Sequence, residues 1–455
     1  MFGIWGHTHA AALSYYGLHA QQHRGQEGAG VVVNDGEELK LHKGLGLVND
    51  VFKHADFQEF TGKAAIAHIR YSKHGDKNRA VDSVEPLVFH SRSTSIAIAD
   101  SGNIVNGEKL REELEDNGSI LQSATDSELL AHLIKRSKKK SNETAIIEAL
   151  QQLKGAYTFL IMDQAHMYVV NDPHGIRPLS IGRLGEAYVV ASETSAFDIV
   201  GATFEREVLP GELLVISDEG LKSVRFAMRE QRRLCAMEYV YFSRPDSDLN
   251  QVNVHASRKR MGMELAKEAP VEADVVTGVP DSSISAAIGY AEQIGLPYEM
   301  GIIKNRYIGR TFIQPSQELR EQGVKLKLSP VRGIVDGKRV VMIDDSIVRG
   351  TTSKHIVRLL KEAGAKEVHV RIASPAIQNP CYYGIDMSTR EELIAANNSL
   401  EEIAELIGAD SIEYLSVEGM KQAIVREKSI HQGICHACMT GEYPVPILDK
   451  REDPF

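Results

Sequence analysis

Cysteine is scarce in this chain: four occur in 455 residues, at positions 235, 381, 435 and 438. That is too few, too scattered, for the disulfide framework of a small secreted domain. Long apolar runs are missing as well, so no segment approaches the roughly 20 residues that a membrane span needs. The opening MFGIWGHTHA has neither a basic start nor a sustained apolar stretch, and no secretory signal is expected there. Nor is there an excess of positive charge. Lysine and arginine number 52 against 62 acidic residues, a net charge of −10, which excludes a general attraction to nucleic acid or to anionic membranes. What remains is an ordinary globular composition, 43% hydrophobic and 25% charged, long enough for two large domains or three smaller ones. The expected compartment is the cytoplasm.

The most informative stretch is KRVVMIDDSIVRGTT, Lys338 to Thr352. Arg339 to Ile343 reads as a strand buried on both faces of a parallel sheet, and it runs straight into Asp344 and Asp345. Those carboxylates fall at the carboxyl edge of the sheet, where open α/β folds place their ligands. Ser346 to Thr352 then combines hydroxyls, Arg349 and Gly350 ahead of a helix whose apolar side is Ile356, Leu359, Leu360 and Ala363. Such a turn aims amides and hydroxyls at a phosphate, and the helix N-terminus adds favourable partial charge. Ribose hydroxyls donate to carboxylates, and neighbouring carboxylates also suit Mg²⁺. An aspartate pair alone would more often be an acidic turn after a strand. The full run resembles the 5-phosphoribosyl-1-pyrophosphate (PRPP) loop of the phosphoribosyltransferases. The resemblance implies that Asp344 and Asp345 hold ribose and metal, while Ser346, Arg349, Gly350, Thr351 and Thr352 hold the 5-phosphate.

Around this stretch, strands alternate with helices, the signature of a doubly wound parallel sheet. Ala273 to Val279 reads as a strand ending in Pro280, Asp281, Ser282 and Ser283 before a helix-like segment. On its own this is an ordinary capped turn. By resemblance Asp281, Ser282 and Ser283 form the pyrophosphate loop, with Ser282 beside Mg²⁺. Lys304 to Pro330 is long, basic and poor in core pattern, which suggests a functional lid or a solvated loop. Its start, KNRYIGRTF, follows the family motif, implying that Lys304, Arg306 and Arg310 neutralise departing pyrophosphate.

The first half differs. QHRGQEGAG, with FGIWG upstream, resembles the amidophosphoribosyltransferases, and the likeness runs to the last cysteines. It implies an N-terminal-nucleophile sandwich of two antiparallel sheets between helices over residues 1–223. A type I phosphoribosyltransferase domain would then fill 224–455. The alternating runs at 64–72, 94–102 and 156–163 suit such strands. The polar crossing at 224–233 has little Gly or Pro, so the two domains should pack tightly. Family glutaminases use a cysteine placed as Cys-Gly-Val before FGIWG, and Met1 stands at the valine position. Arg70, Gly102 and Asp126 match the residues that hold glutamine. The family's RYxT reads Arg70, Tyr71, Ser72, Lys73 here, and its HNGN reads Asp100, Ser101, Gly102, Asn103. The expectation is a glutaminase domain that keeps its fold while its chemistry has decayed.

Cys435 and Cys438 form a C-x-x-C that could be a zinc half-site, a redox pair or chance. Four thiolates suit either Zn²⁺ or Fe₄S₄. The resemblance places Cys235, Cys381, Cys435 and Cys438 as ligands of a [4Fe-4S] cluster. It further implies formation of 5-phosphoribosylamine and pyrophosphate from PRPP with ammonia, glutamine being the family's nitrogen source, in a homotetramer inhibited by purine nucleotides. A glutamine-dependent synthase with residues ahead of Met1, and a non-catalytic PRPP-sensing or partner-binding paralogue, are the competing readings.

Overall fold

A computed structural model describes residues 1–55, 60–71, 81–91, 95–228, 230–305, 328–387, 389–425 and 432–449. Two antiparallel sheets build the first half. The seven-stranded one runs in the spatial order Thr203–Glu207, Ser180–Leu184, Ala187–Ala191, Phe2–Trp5, Ala64–Arg70, Gly28–Asn34, Leu39–Leu45. The six-stranded one runs Gly220–Arg225, Glu212–Ser217, Met167–Asn171, Gly155–Met162, Ser95–Ile104, Leu87–His90. The last strand in sequence carries this sheet past the expected limit at residue 223.

Period-two alternation makes the layers, because successive strand side chains leave opposite faces. Ile66, Val32, Ala97, Ala99, Leu160, Leu214 and Ile216 meet between the sheets. Their chain neighbours point outward. Val31, Val33, Ala65 and Ala67 pack against the helix Ala10–Ala20, while Ile96, Ile98, Phe159 and Ile161 pack against the helix Asp126–Arg136. The result is the helix–sheet–sheet–helix sandwich of the N-terminal-nucleophile type.

The second half is a doubly wound α/β unit. Val275–Gly278, Arg339–Asp344, Glu367–Ile372 and Ser411–Tyr414 pair in parallel, in that order. Alternation again divides each strand, with Val341 and Ile343 on one face and Val340 and Met342 on the other. Both faces are covered by helices, which is why the strands read as continuous apolar runs.

The two halves share one core. Val105, Ala156 and Ile176 of the sandwich belong to the same apolar cluster as Leu234, Cys235, Met439 and Ile377. Arg24 reaches across as well, donating to Glu193 at 2.6 Å and to Glu238 at 2.8 Å, with all three side chains buried. Among the described residues, no helix is long and apolar enough to cross a membrane.

Candidate active site

Parallel pairing of Gly278 with Ile343 brings two loops together at the carboxyl edge of the sheet. Ser283 Oγ donates to Asp344 Oδ1 at 3.0 Å and to Asp345 Oδ2 at 3.4 Å. Asp344 Oδ1 also accepts from the Asp345 amide at 3.0 Å, and Ser346 Oγ donates to Asp345 Oδ1 at 2.7 Å. Both aspartates are buried. Burial, followed by the charge of Asp345, holds the Asp344 carboxyl well above the usual range. Asp345 is raised too, again mainly by burial, although hydrogen bonds from Ser282 and Ser346 and the charge of Arg258 pull it down. A pair in that condition favours a proton or a cation.

The remaining loop residues stand around this pair. Gly350, at φ 75°, ends the turn and opens the helix Thr351–Glu362. A side chain there would be strained and would press on Ile394. Thr351 and Thr352 are exposed on the first turn, where amide donors lack intrahelical partners. Lys304 Nζ donates to Asp281 Oδ2 at 2.9 Å, in the turn that follows the strand Val275–Gly278. Arg349 is held by Glu392, its Nε 2.7 Å from Oε2. Arg306 and Arg310 lie outside the described residues. Sequence reasoning missed Arg258 and Glu392, which carry no local motif and reach the site only through tertiary packing.

The first domain holds a cavity of about 400 Å³ that gathers Arg70, Gly102 and Asp126 in its lining, with Glu85, Asp100 and Ser101 beside them. Asp126 opens its helix and accepts from the Ile104 amide at 3.2 Å. Ser72 and Lys73 lie outside the described residues. Part of the wall comes from the other domain, which the sequence did not signal. Asn103 Nδ2 donates to the Tyr382 carbonyl at 3.0 Å. Gly384, at φ 101°, lies so close to the Gly102 backbone that a Cβ would sit 2.9 Å from the Gly102 carbonyl carbon and oxygen. The Asp449 carboxylate accepts from the amides of Glu108 and Lys109 at 3.0 and 3.4 Å, capping the helix Gly107–Asp116. Asn106, at that helix's own N-cap, spends its side chain on Gln152 and Lys154 instead.

Residues 77–198 match the glutamine amidotransferase domain family and residues 251–387 the phosphoribosyl transferase domain family. Amidophosphoribosyltransferase of Bacillus subtilis strain 168 is 60% identical over 449 residues, covering 98% of this chain and 94% of that protein. The chain belongs to the amidophosphoribosyltransferases. The Staphylococcus aureus MRSA252 amidophosphoribosyltransferase is 49% identical over 452 residues, covering 99% of this chain and 91% of that one. A solved structure of the B. subtilis glutamine PRPP amidotransferase, complexed with ADP and GMP, superposes with a TM-score of 0.93 at 59% identity, covering 99% and 98% of the two chains. The chain is thus a transferase acting on PRPP at the first step of purine biosynthesis.

In this amidophosphoribosyltransferase the four cysteines border one small void, walled by Ile176, Met237, Ile385 and Met387. Parallel pairing of Arg232–Cys235 with Gln432–Cys435 sets Cys235 beside Cys435. The Cys438 carbonyl accepts from the amides of Gln378 and Asn379 at 3.0 and 2.9 Å, tying Cys438 to the Cys381 segment. Tyr383 N donates to Cys381 Sγ at 3.4 Å. Burial raises all four thiols, Cys435 to about 12, and the neighbouring cysteines add to the rise at Cys235, Cys435 and Cys438. They are therefore protonated unless a metal displaces the protons. Among the described residues, no group of three or more His, Cys, Asp or Glu is placed to hold a metal ion.

Proposed function

We propose that this chain makes 5-phosphoribosylamine from PRPP with ammonia as its working nitrogen source, and that its first domain no longer hydrolyses glutamine. One observation carries this reading. Asp100 and Ser101 stand in the cavity wall beside Gly102, where the family motif has histidine and asparagine. An asparagine amide can donate to a developing oxyanion, whereas a serine hydroxyl is shorter and differently placed, and losing one such donor costs about 10²- to 10³-fold. The buried carboxyl at 100 further disfavours negative charge nearby. Arg70 and Asp126 keep the means to bind an α-amino acid.

In the second domain, Asp344 and Asp345 hold the ribose hydroxyls and orient C1 for attack by the lone pair of ammonia. Lys304 and Asp281–Ser283 border the departing pyrophosphate. The raised carboxyls of Asp344 and Asp345 fit a Mg²⁺ site completed by Ser282, where the ion would supply charge to the leaving group. Four soft donors bordering one void fit the [4Fe-4S] cluster of the iron-sulfur class. A cytoplasmic homotetramer inhibited by purine nucleotides completes the reading, in keeping with the ADP and GMP bound to the B. subtilis relative.

The test compares glutamate release from glutamine with pyrophosphate release driven by ammonia. No glutamate is expected, and pyrophosphate release should rise with pH as free ammonia becomes available. Glutamate appearing as fast as pyrophosphate would overturn the proposal, and silence in both assays would point to a PRPP-sensing paralogue.

A further inference from the structure

The turn that opens the helix Thr351–Glu362 is met at three consecutive residues by one short segment, Glu392 to Ile394. The Ile394 amide donates to the Val348 carbonyl at 2.9 Å. Arg349 Nε donates to Glu392 Oε2 at 2.7 Å, and Arg349 Nη2 donates to the same oxygen. A Cβ on Gly350 would come within 2.6 Å of Ile394 Cδ1, so the isoleucine packs against the bare backbone of the glycine. The path of the turn, its arginine and its glycine are thus each held from outside.

The holding segment is itself anchored. Leu393 is fully buried in the apolar cluster that also contains Val105 and Cys438. Ile394 packs against the cluster on the opposite face of the parallel sheet, with Ile356 and Ile407. Asn397 Nδ2 donates to the carbonyls of Arg390 and Leu393 at 3.1 and 3.0 Å, closing the turn that carries Glu392. The grip still leaves Arg349 able to act. Glu392 takes only the Nε–Nη2 edge, through one oxygen, and a guanidinium has five N–H donors, so the Nη1 pair remains for a phosphate. The Arg349 side chain is 45% exposed, open to a ligand from solvent. An arginine already held in one geometry gives up less rotamer freedom when that ligand binds.

We propose that Glu392, Leu393 and Ile394 brace the 5-phosphate loop before substrate arrives, with Glu392 as the positioning residue that aims Arg349 at the phosphate. The inference rests on the reading above that residues 346–352 hold the 5-phosphate of PRPP. Phosphate binding at a helix N-terminus depends on amides that already converge, and the contacts to Val348 and Gly350 keep this backbone in one shape. The Glu392 charge opposes the phosphate only weakly, because water screens a pair this exposed. The ordering it supplies to Arg349 is the larger effect, so removing Glu392 weakens the hold on the 5-phosphate.

Ribose 5-phosphate and inorganic pyrophosphate, each with Mg²⁺, separate the two ends of the substrate. Titration calorimetry on the full chain and its Glu392→Gln and Glu392→Ala variants should show ribose 5-phosphate binding weakened about three- to tenfold, the worth of ordering one long side chain. The loss should be larger for alanine, which keeps no acceptor for Arg349, and pyrophosphate binding should not change. In turnover, KM for PRPP should rise by a similar factor while kcat holds. Ile394→Ala, which removes the contact with Gly350 and no charge, should also weaken ribose 5-phosphate binding. Tighter binding in the Glu392 variants would make the carboxylate a competitor of the phosphate and overturn the brace. Equal losses for both ligands, with a lowered melting temperature, would make its role merely structural and overturn it as well. A parent chain that binds no ribose 5-phosphate refutes the phosphate-loop reading and the brace with it. A parent that binds it, matched by all three variants, refutes the brace alone.

Discussion

Replacing Asp344 with asparagine should make the protein more stable and nearly inactive. Asp344 is 7% exposed, and its Oδ1 accepts from Ser283 Oγ and from the Asp345 amide, both at 3.0 Å. An asparagine oxygen in the same place keeps both bonds, so the change removes charge and little else. Burial and then Asp345 hold the native carboxyl well above its ordinary value. A carboxyl raised in the folded state contributes its stability below the unfolded pKa, and loses it as pH rises through the folded value. The parent chain therefore carries its full penalty at alkaline pH, where the variant carries none. Each tenfold change in acid dissociation corresponds to about 1.4 kcal/mol. About 1 kcal/mol moves Tm by roughly 2–4 °C in a domain of 150–250 residues. Melting curves in a chelator should thus show a gain of several degrees in mildly alkaline buffer that disappears towards pH 4. Turnover should fall by about 10² or more, because the reacting ribosyl centre loses an oriented anion. A variant that melts lower than the parent at alkaline pH, or that retains activity, would refute the reasoning.

Three further outcomes can be checked. Gly384→Ala forces a Cβ to 2.9 Å from the Gly102 backbone at φ 101°, so Tm should fall by more than the effect of backbone strain alone, about 1–3 kcal/mol; a melting point equal to the parent's would mean that the two glycines do not touch. Asp449→Ala should cost about 1 kcal/mol as a lost helix cap, with faster amide exchange at Glu108 and Lys109, the two donors it now receives; unchanged exchange at both amides would exclude the cap. Protein purified without oxygen should be brown and hold about four irons per chain, as expected for a [4Fe-4S] cluster, whereas a colourless, air-stable protein with one zinc would reassign the cysteines.

Much of the fold was legible because it depends on neighbours in the chain. Strand alternation at 64–70 and 95–104 needs only successive residues to face opposite ways, and the strand through Val341 and Ile343 reads as buried because both of its faces are apolar. That the stretch from Asp344 to Gly350 turns and opens a helix was likewise readable, since glycine conformation and helix starts are local matters. The order of strands within each sheet was not written in any such stretch.

Tertiary structure alone decided which distant groups share a site. Glu85 meets Asp100 because a hairpin folds one over the other. Arg349 is occupied by Glu392, and Asp345 feels Arg258. Gly384 and Asp449 close the first domain's cavity from the far end of the chain. Such contacts join side chains to partners far along the chain, through packing rather than spacing. Residue order determined the elements and their chemistry, while the energy of burying shared apolar faces determined which of those elements met.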